Sequence, residues 1–409
     1  MKKILVICPF DSIYPPLNGG MQRCFHLLVQ LSKHFELTAI IHQDKESFMS
    51  CTAEYPTLET ARIYSTKDLI SKDIFSILPF KFEIALRSRW YQKELFRSAD
   101  SSLIKYYPLL IKLLQKQKFD FVVLEDNATL NAVKIIRRFD KKVKLLYDAH
   151  NVDSNLGKSA LKRKEITPQD LRNVIKKESL LHKRVDAVFT CSRRDQQELS
   201  RLNGEDLITS VVPNGVTISN IKYNEGVYCE RPEYILFCGS LWSMPNAEGL
   251  YWFCKRIWPL IYDKLPYLKL LVIGSGSLPQ KYYEIIDSAQ IEFFGEVSDI
   301  KPFYNKAAVS IVPLLTGSGT RLKILEAMGI GVPVVSTSIG VEGIDVTDGF
   351  DMLIADNEKL FAEKVIELLE SKEFRIYIQK NANKLIREKY DWDIIGSEMA
   401  DFINCWNNT

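Results

Sequence analysis

Leu314-Leu315-Thr316-Gly317-Ser318-Gly319-Thr320-Arg321-Leu322-Lys323-Ile324-Leu325-Glu326-Ala327-Met328 follows the short apolar run Val309-Ser310-Ile311-Val312-Pro313. The run is β-branched and reads as a buried strand. Beyond the glycines, Leu322, Leu325 and Met328 recur at helical spacing among good helix formers. The stretch is therefore strand, glycine loop, helix. Gly317 and Gly319 let the backbone turn tightly and approach a ligand closely. Free N–H groups and the positive dipole end of the helix favour an anion there. Arg321 and Lys323 add two cations at the helix start, a set that suits a diphosphate. Glu326, one turn beyond Lys323, suits a pair of hydroxyls. The plain alternative is a helix start with solvated charges, Lys323 and Glu326 forming a surface i,i+3 pair.

The same pattern of units runs outward in both directions. Lys3 to Cys8 reads as a first buried strand, followed by a loop ending in Gly19-Gly20, a helix over Met21 to Lys33 and a strand over Glu36 to His42. This β-loop-α-β start marks a doubly wound sheet. Gly19-Gly20 at a helix start is a second candidate phosphate cradle. Phe119 to Glu125 and Val143 to Tyr147 read as further parallel strands, the second ending in Asp148-Ala149-His150-Asn151. Ligands of open α/β sheets gather at the carboxyl ends of strands, which makes His150 a candidate site residue. Val185 to Thr190 and Val211 to Val216 continue the series. A second set of units starts at Tyr234 to Ser240, with Gly239 and Ser240 in its turn. It goes on through a helix around Glu248 to Asp263, strands at Lys269 to Ile273 and Ile291 to Val297, and Val332 to Thr337. The expected organisation is α/β: residues 1–216, a linker over 217–232, a second domain over 233–390, and a last amphipathic segment over 391–409.

Composition bounds the function. The 409 residues carry a net charge of +3, with 46% apolar and 26% charged residues, ordinary for globular domains and too weakly basic to argue for nucleic acid. The eight cysteines show no C-x-x-C pair and no Cys/His cluster. That points away from zinc and disulfides and toward a reducing compartment. The apolar run at the start is ended early by Pro9, and no run approaches a membrane span, so a cytoplasmic protein is expected. Two stretches, 75–112 and 158–184, are basic; the first also carries many aromatics. They read either as helices facing a core or as a surface for anionic lipid.

Two Rossmann-like halves with the anion loop late in the second resemble the GT-B fold, two domains facing across a cleft, of retaining glycosyltransferases of glycosyltransferase family 4. The residues that carry the resemblance are Gly19-Gly20, Asp148-Ala149-His150-Asn151, Pro213-Asn214-Gly215-Val216, Phe237-x-Gly239, Pro245-Asn246, Gly295-Glu296-Val297, the loop 317–328 and Gly331-x-Pro333-Val334-Val335. They keep the family's order over nearly the whole chain. The resemblance implies that Glu326 holds ribose hydroxyls and that Arg321 and Lys323 neutralise the diphosphate. It implies that Gly19 and Gly20 approach the phosphates, that Val297 lines the base pocket, and that His150 faces the donor sugar. Gly239, Ser240, Gly317, Ser318, Gly319 and Thr320 complete the implied donor site, and the final helix crosses back to the first domain. The chain departs from the family in two places. Ser318 stands where many relatives carry a glutamate that touches the sugar. No Arg or Lys follows Gly239 before Gly249, so Arg321 and Lys323 would carry the neutralisation alone.

The implied activity is metal-independent, retaining transfer from a nucleotide sugar to a saccharide acceptor, lipid-linked at the inner membrane face, in bacterial surface polysaccharide synthesis. No cofactor is expected. Asp391-Trp392-Asp393 is the one D-x-D, and it reads as a helix cap. The alternatives are a non-catalytic nucleotide-sugar scaffold, a sugar epimerase of related fold, and a dehydrogenase built on Gly274-Ser275-Gly276. The dehydrogenase reading lacks the third glycine of its fingerprint.

Overall fold

The computed structural model describes residues 1–67, 106–162, 164–218, 234–285, 290–317 and 319–406. Most of the basic aromatic stretch 75–112, nearly all of the linker 217–232 and Ser318 lie outside them. The chain forms two compact units, Met1–Val212 together with the chain from Gly396 onward, and Pro213–Ile395. The first unit thus ends at Val212, earlier than the expected 216. The reason is local: Val216 N–H donates to the Tyr390 carbonyl at 2.8 Å and Trp392 N–H to the Val216 carbonyl at 3.1 Å, so this segment is tied into the second unit.

The first unit is built on a seven-stranded sheet in the order β3-β2-β1-β4-β5-β6-β7. Its strands are β1 (Lys3–Ile7), β2 (Glu36–Ile41), β3 (Arg62–Ser65), β4 (Phe121–Glu125), β5 (Lys144–Ala149), β6 (Ala187–Thr190) and β7 (Thr209–Val211). Every pairing is parallel; Val6, for example, sits opposite Ala39 on one side and Val123 on the other. Parallel strands buried on both faces need near-continuous apolar runs, which is what β1 and β4 supply. Leu5, Leu110, Val122, Leu145 and Val188 meet in one core. β3 was not anticipated, because Arg-Ile-Tyr-Ser is too short and mixed to show a period. The strand expected over 211–216 is instead β7, ending before Pro213, which has no N–H for a ladder.

The second unit carries a six-stranded parallel sheet, β10-β9-β8-β11-β12-β13. Its strands are β8 (Tyr234–Cys238), β9 (Lys269–Ile273), β10 (Ile291–Gly295), β11 (Val309–Val312), β12 (Val334–Ser336) and β13 (Leu353–Ile354). Ile235, Phe253, Val272, Ile311 and Phe361 belong to its core. The helix expected at 248–263 starts earlier, at Met244, with Pro245 in its first turn. It widens into a π turn at Phe253–Ile257 just before Pro259, whose missing N–H breaks the helical ladder. The turn after β9 is followed by a 3-10 segment, Gln280–Ile285, and not by a helix start of the dinucleotide type.

The helix Trp392–Cys405 leaves the second unit and ends in the first. Phe402 meets Phe189 with ring centroids 5.5 Å apart, and Lys144 lies 5.3 Å above the Trp406 ring. At its start the Asp393 N–H donates to Asp391 Oδ1 at 3.2 Å, so Asp391 caps the helix. Among the described residues no helix is long and apolar enough to cross a membrane. The basic segment 158–184 comprises two helices, Asp153–Lys162 and Pro168–Glu178, the second opened by a Thr167/Asp170 capping box. Lys162, Lys164, Arg172 and Lys176 there are exposed.

Candidate functional site

In each sheet the strand order reverses beside the unit's first strand, between β1 and β4 and between β8 and β11. Such switch points leave a crevice at the carboxyl ends of the strands. Most of the sequence-predicted residues that the structure describes lie by these two places; Val297 follows β10.

In the second unit, β11 runs into the loop 313–321 and then the helix Leu322–Ile330. Gly317 and Gly319 have φ of 122° and 81°, left-handed values that strain any residue with a Cβ. Arg321 is the residue before the helix and not part of its first turn. Its guanidinium folds back on the loop, donating to the Gly319 carbonyl. The loop is also tied to the neighbouring helix Met244–Trp252, where the Thr316 hydroxyl donates to Glu248 at 3.3 Å. That helix comes close because position 249 is glycine: a Cβ there would lie 2.5 Å from the Pro313 carbonyl oxygen.

Lys323 reaches from its helix to the turn after β8. Its ammonium donates to Asn246 Oδ1 at 2.9 Å and lies 5.1 Å from the Phe237 ring centroid. A Cβ on Gly239 would sit 2.5 Å from Nζ, so Gly239 is what lets the lysine in. Asn246 is fixed in turn, its amide donating to the Ser240 carbonyl at 2.8 Å. Ser240 and Ser275 meet through their hydroxyls at 3.2 Å, locking the turns after β8 and β9 together. Among the described residues no carboxylate comes within ion-pair distance of Lys323. Lys323 and Glu326 are therefore not a solvated surface pair. Burial pushes the Lys323 ammonium down to about 8, the Glu326 carboxyl up to about 7, and the Arg321 guanidinium down to about 10. Each of the three charges is worse solvated than in water, which an anion and hydroxyl donors would correct. The Thr320 hydroxyl oxygen is buried without a partner in the same loop. Val297 is half-buried and packs against the core cluster that includes Tyr304.

In the first unit, the helix Gly19–His34 starts at Gly19-Gly20, with the Asn18 side chain capping it through the Met21 N–H at 3.0 Å. His150 follows β5 and stacks on Phe10, centroids 5.6 Å apart. A Cβ on Gly20 would lie 3.4 Å from His150 Nδ1, so that nitrogen faces the helix start. His150 Nε2 lies 2.9 Å from Glu125 Oε2 and 3.3 Å from Asp148 Oδ2. Asp148 in turn accepts two bonds from Arg23, at 2.7 Å from Nε and 2.5 Å from Nη2, and Arg23 Nη1 donates to the Val212 carbonyl at 2.8 Å. Two acids and two bases thus form one buried cluster, in which burial and then Asp148 push the Glu125 carboxyl up to about 7. Burial opposes the charged His150 ring, but the bonds to Asp148 and then Glu125 outweigh it and raise the ring to about 9. Burial would likewise raise Asp148; Arg23 and His150 hold it well below the usual carboxylate range.

Sequence reasoning placed His150, Gly19 and Gly20 in one unit and Gly239, Ser240, Val297, Gly317, Gly319, Thr320, Arg321, Lys323 and Glu326 in the other; the first set lies by the β1/β4 switch point and most of the second by the β8/β11 switch point, while Val297 follows β10, two strands away. It gave no role to Asn246, Glu125, Asp148 or Arg23. Glu125 left a visible signal, a carboxylate closing an otherwise apolar strand; Arg23 left none.

Known proteins show the same architecture. Residues 82–220 match the family model described as Glycosyltransferase Family 4, and residues 232–371 match Glycosyl transferases group 1. The chain is 26% identical over 353 residues, 78% of its length and 88% of the relative's, to a Klebsiella pneumoniae protein described as an uncharacterized 44.6 kDa protein in the cps region. It is 28% identical over 152 residues, 36% of the chain and 40% of the relative, to the capsular polysaccharide biosynthesis glycosyltransferase CapM of Staphylococcus aureus. Among solved structures, Anabaena Alr3699/HepE in complex with UDP superimposes with a TM-score of 0.66 at 16% identity, over 99% of this chain and 100% of that one. Sucrose-phosphate synthase from Thermosynechococcus elongatus gives 0.68 at 14% identity over 100% of both chains. With two parallel-sheet units and a domain match in each, the chain is a GT-B glycosyltransferase of the family 4 and group 1 type.

Proposed function

We propose that this glycosyltransferase moves a sugar from a nucleoside-diphosphate donor to a lipid-linked saccharide, retaining the anomeric configuration and using no metal, in the assembly of a bacterial surface polysaccharide. One observation carries the donor half: Lys323 is held over Phe237 with no carboxylate partner among the described residues, beside a glycine loop and a helix start. A leaving diphosphate needs positive charge as the glycosidic bond breaks, and a desolvated lysine with helix amides supplies it without a metal. Glu326 takes ribose hydroxyls, and His150 acts on the donor. The acceptor half draws support from the cps-region relative and CapM, and from the exposed lysines of 158–184.

A thermal-shift panel of UDP, GDP, dTDP and ADP sugars tests the donor. One member at a hundred times its dissociation constant is expected to stabilise by about 2.7 kcal/mol. Transfer with that donor should survive EDTA, and the product anomer should match the donor's; loss of transfer in EDTA would remove metal independence, and inversion would remove retention. Binding without hydrolysis or transfer to any saccharide would favour the scaffold reading.

Binding is expected to take up protons at pH 8. Free Lys323, lowered to about 8, is half-protonated there, and a bound diphosphate favours the ammonium. Glu326, raised to about 7, is already mostly ionised and contributes little. Calorimetry in buffers of different ionisation enthalpy reads the sign; net proton release would contradict Lys323 as the diphosphate ligand.

The membrane part is tested by sedimentation with vesicles. Salt-sensitive binding to anionic vesicles alone is expected. Equal, negligible binding to anionic and neutral vesicles would favour a soluble acceptor.

A further inference from the structure

Glu125 closes β4, is fully buried, and uses one carboxylate oxygen on His150 while the other, Oε1, has no partner. An unpaired carboxylate oxygen in a buried site weakens the fold, and a structural role does not require it. The ring it touches is also half-satisfied: His150 Nε2 is engaged, while Nδ1 is buried without a partner and faces the start of the Gly19–His34 helix. Both unmet atoms belong to one pair.

We infer that Glu125 is a positioning residue for His150: by accepting the Nε2 proton it fixes the ring with Nδ1 turned to the Gly19-Gly20 helix start, as a hydrogen-bond donor for an oxygen of the donor substrate. This rests on the donor role given to His150 above. The surroundings leave Glu125 as the adjustable member. Arg23 engages Asp148 with two bonds, so Asp148 cannot turn wholly to the histidine. Cys24 on the helix, Cys8 at the end of β1 and Cys191 after β6 complete the shell, and burial keeps their thiols neutral. The charged groups facing Glu125 are therefore Arg23, Asp148 and His150, and Asp153, raised to about 7 chiefly by burial, adds its charge near the ring. Glu125 is itself raised to about 7 by burial and then by Asp148, so it is ionised where the ring loses its proton. The sign follows. The ring is raised, so its charge is present below the ordinary histidine range and is lost as pH rises through about 9. Removing the Glu125 charge must move that loss to lower pH.

The test is a pH titration of His150 by ¹⁵N NMR in the full-length protein, with His150→Gln identifying its signals among the five histidines. The wild-type ring is expected to carry both protons through pH 8, and in Glu125→Gln its midpoint is expected to fall by about one unit or more. An unshifted midpoint overturns the inference. If Glu125→Gln fails to fold, a wild-type ring that is neutral at pH 7 overturns it instead. With the nucleotide sugar chosen by the panel, the alkaline limb of kcat, measured in the complex where the bound diphosphate holds the Lys323 proton, should move down with the midpoint; a merely structural glutamate would lower Tm and leave the limb in place. Adding the nucleoside diphosphate with and without its sugar separates a phosphate oxygen from a sugar hydroxyl as the partner of Nδ1, and no response of the ring to either overturns the inference. His150→Ala transferring at the wild-type rate would sink the role of His150 itself. An inactive His150→Ala beside an unshifted Glu125→Gln would sink the role of Glu125 alone.

Discussion

Lys323→Ala is expected to lose donor binding and transfer by about 2–4 kcal/mol in the transition state, roughly 30- to 1,000-fold in rate, while the protein stays folded. The size follows from the site. Arg321 is the other cation in the loop sequence 313–321, and its guanidinium is turned onto the Gly319 carbonyl. No Arg or Lys follows Gly239 before Gly249 to share the charge. Stability should move the other way. The ammonium is lowered to about 8 by burial, so the unfolded chain holds its proton more tightly than the folded one. Above the unfolded lysine pKa the difference vanishes; as pH falls through about 8 the full penalty falls on the folded state. Without donor at pH 7, Lys323→Met should therefore melt no lower than the wild type. A variant that transfers normally, or one that unfolds, would contradict the assignment. This is a residue kept for its ligand at the expense of the empty fold.

The second large effect is one of stability. Arg23→Ala is expected to destabilise the first unit by about 3–5 kcal/mol, because buried Asp148 loses both of its bonds from Arg23 and keeps only His150, which it shares with Glu125. Arg23 and Asp148 are 1% and 0% exposed, so water cannot replace the lost partner. The Val212 carbonyl loses its donor in the same change. Arg23→Met with Asp148→Leu should recover much of the loss, since it removes both members of one buried pair and leaves His150 paired with Glu125. Urea unfolding of the single and double variants measures this. A single variant within about 1 kcal/mol of the wild type would mean that Asp148 is neutralised by His150 alone.

The elements that the sequence disclosed share a physical cause. β1, β4, β8 and β11 are buried on both faces, and their apolar runs stand out without any alignment. The loop 314–321 was legible because its glycines, its two cations and the helix period after it all point one way. Edge elements such as β3 and β13 were silent, since four or two residues carry no period. The charged cluster of the first unit was silent for a different reason. Arg23, Glu125 and the Asp148/His150 pair are far apart in sequence and meet only because the helix after β1 packs beside the ends of β4 and β5, neighbours of β1 in a parallel sheet. Asn246 was visible only as half of Pro245-Asn246; its work, accepting from Lys323 while its own amide donates to the Ser240 carbonyl, needs the turn after β8 to be in place.

Hydrogen exchange with and without nucleoside diphosphate tests the central claim most directly. With UDP, GDP, ADP and dTDP tried in turn, the one that binds should slow exchange at 237–246 and at 314–328, and Lys323→Ala should abolish that protection. Protection by every binding nucleotide confined to the first unit, with 314–328 exchanging as in the free protein, would contradict a donor site built on this loop.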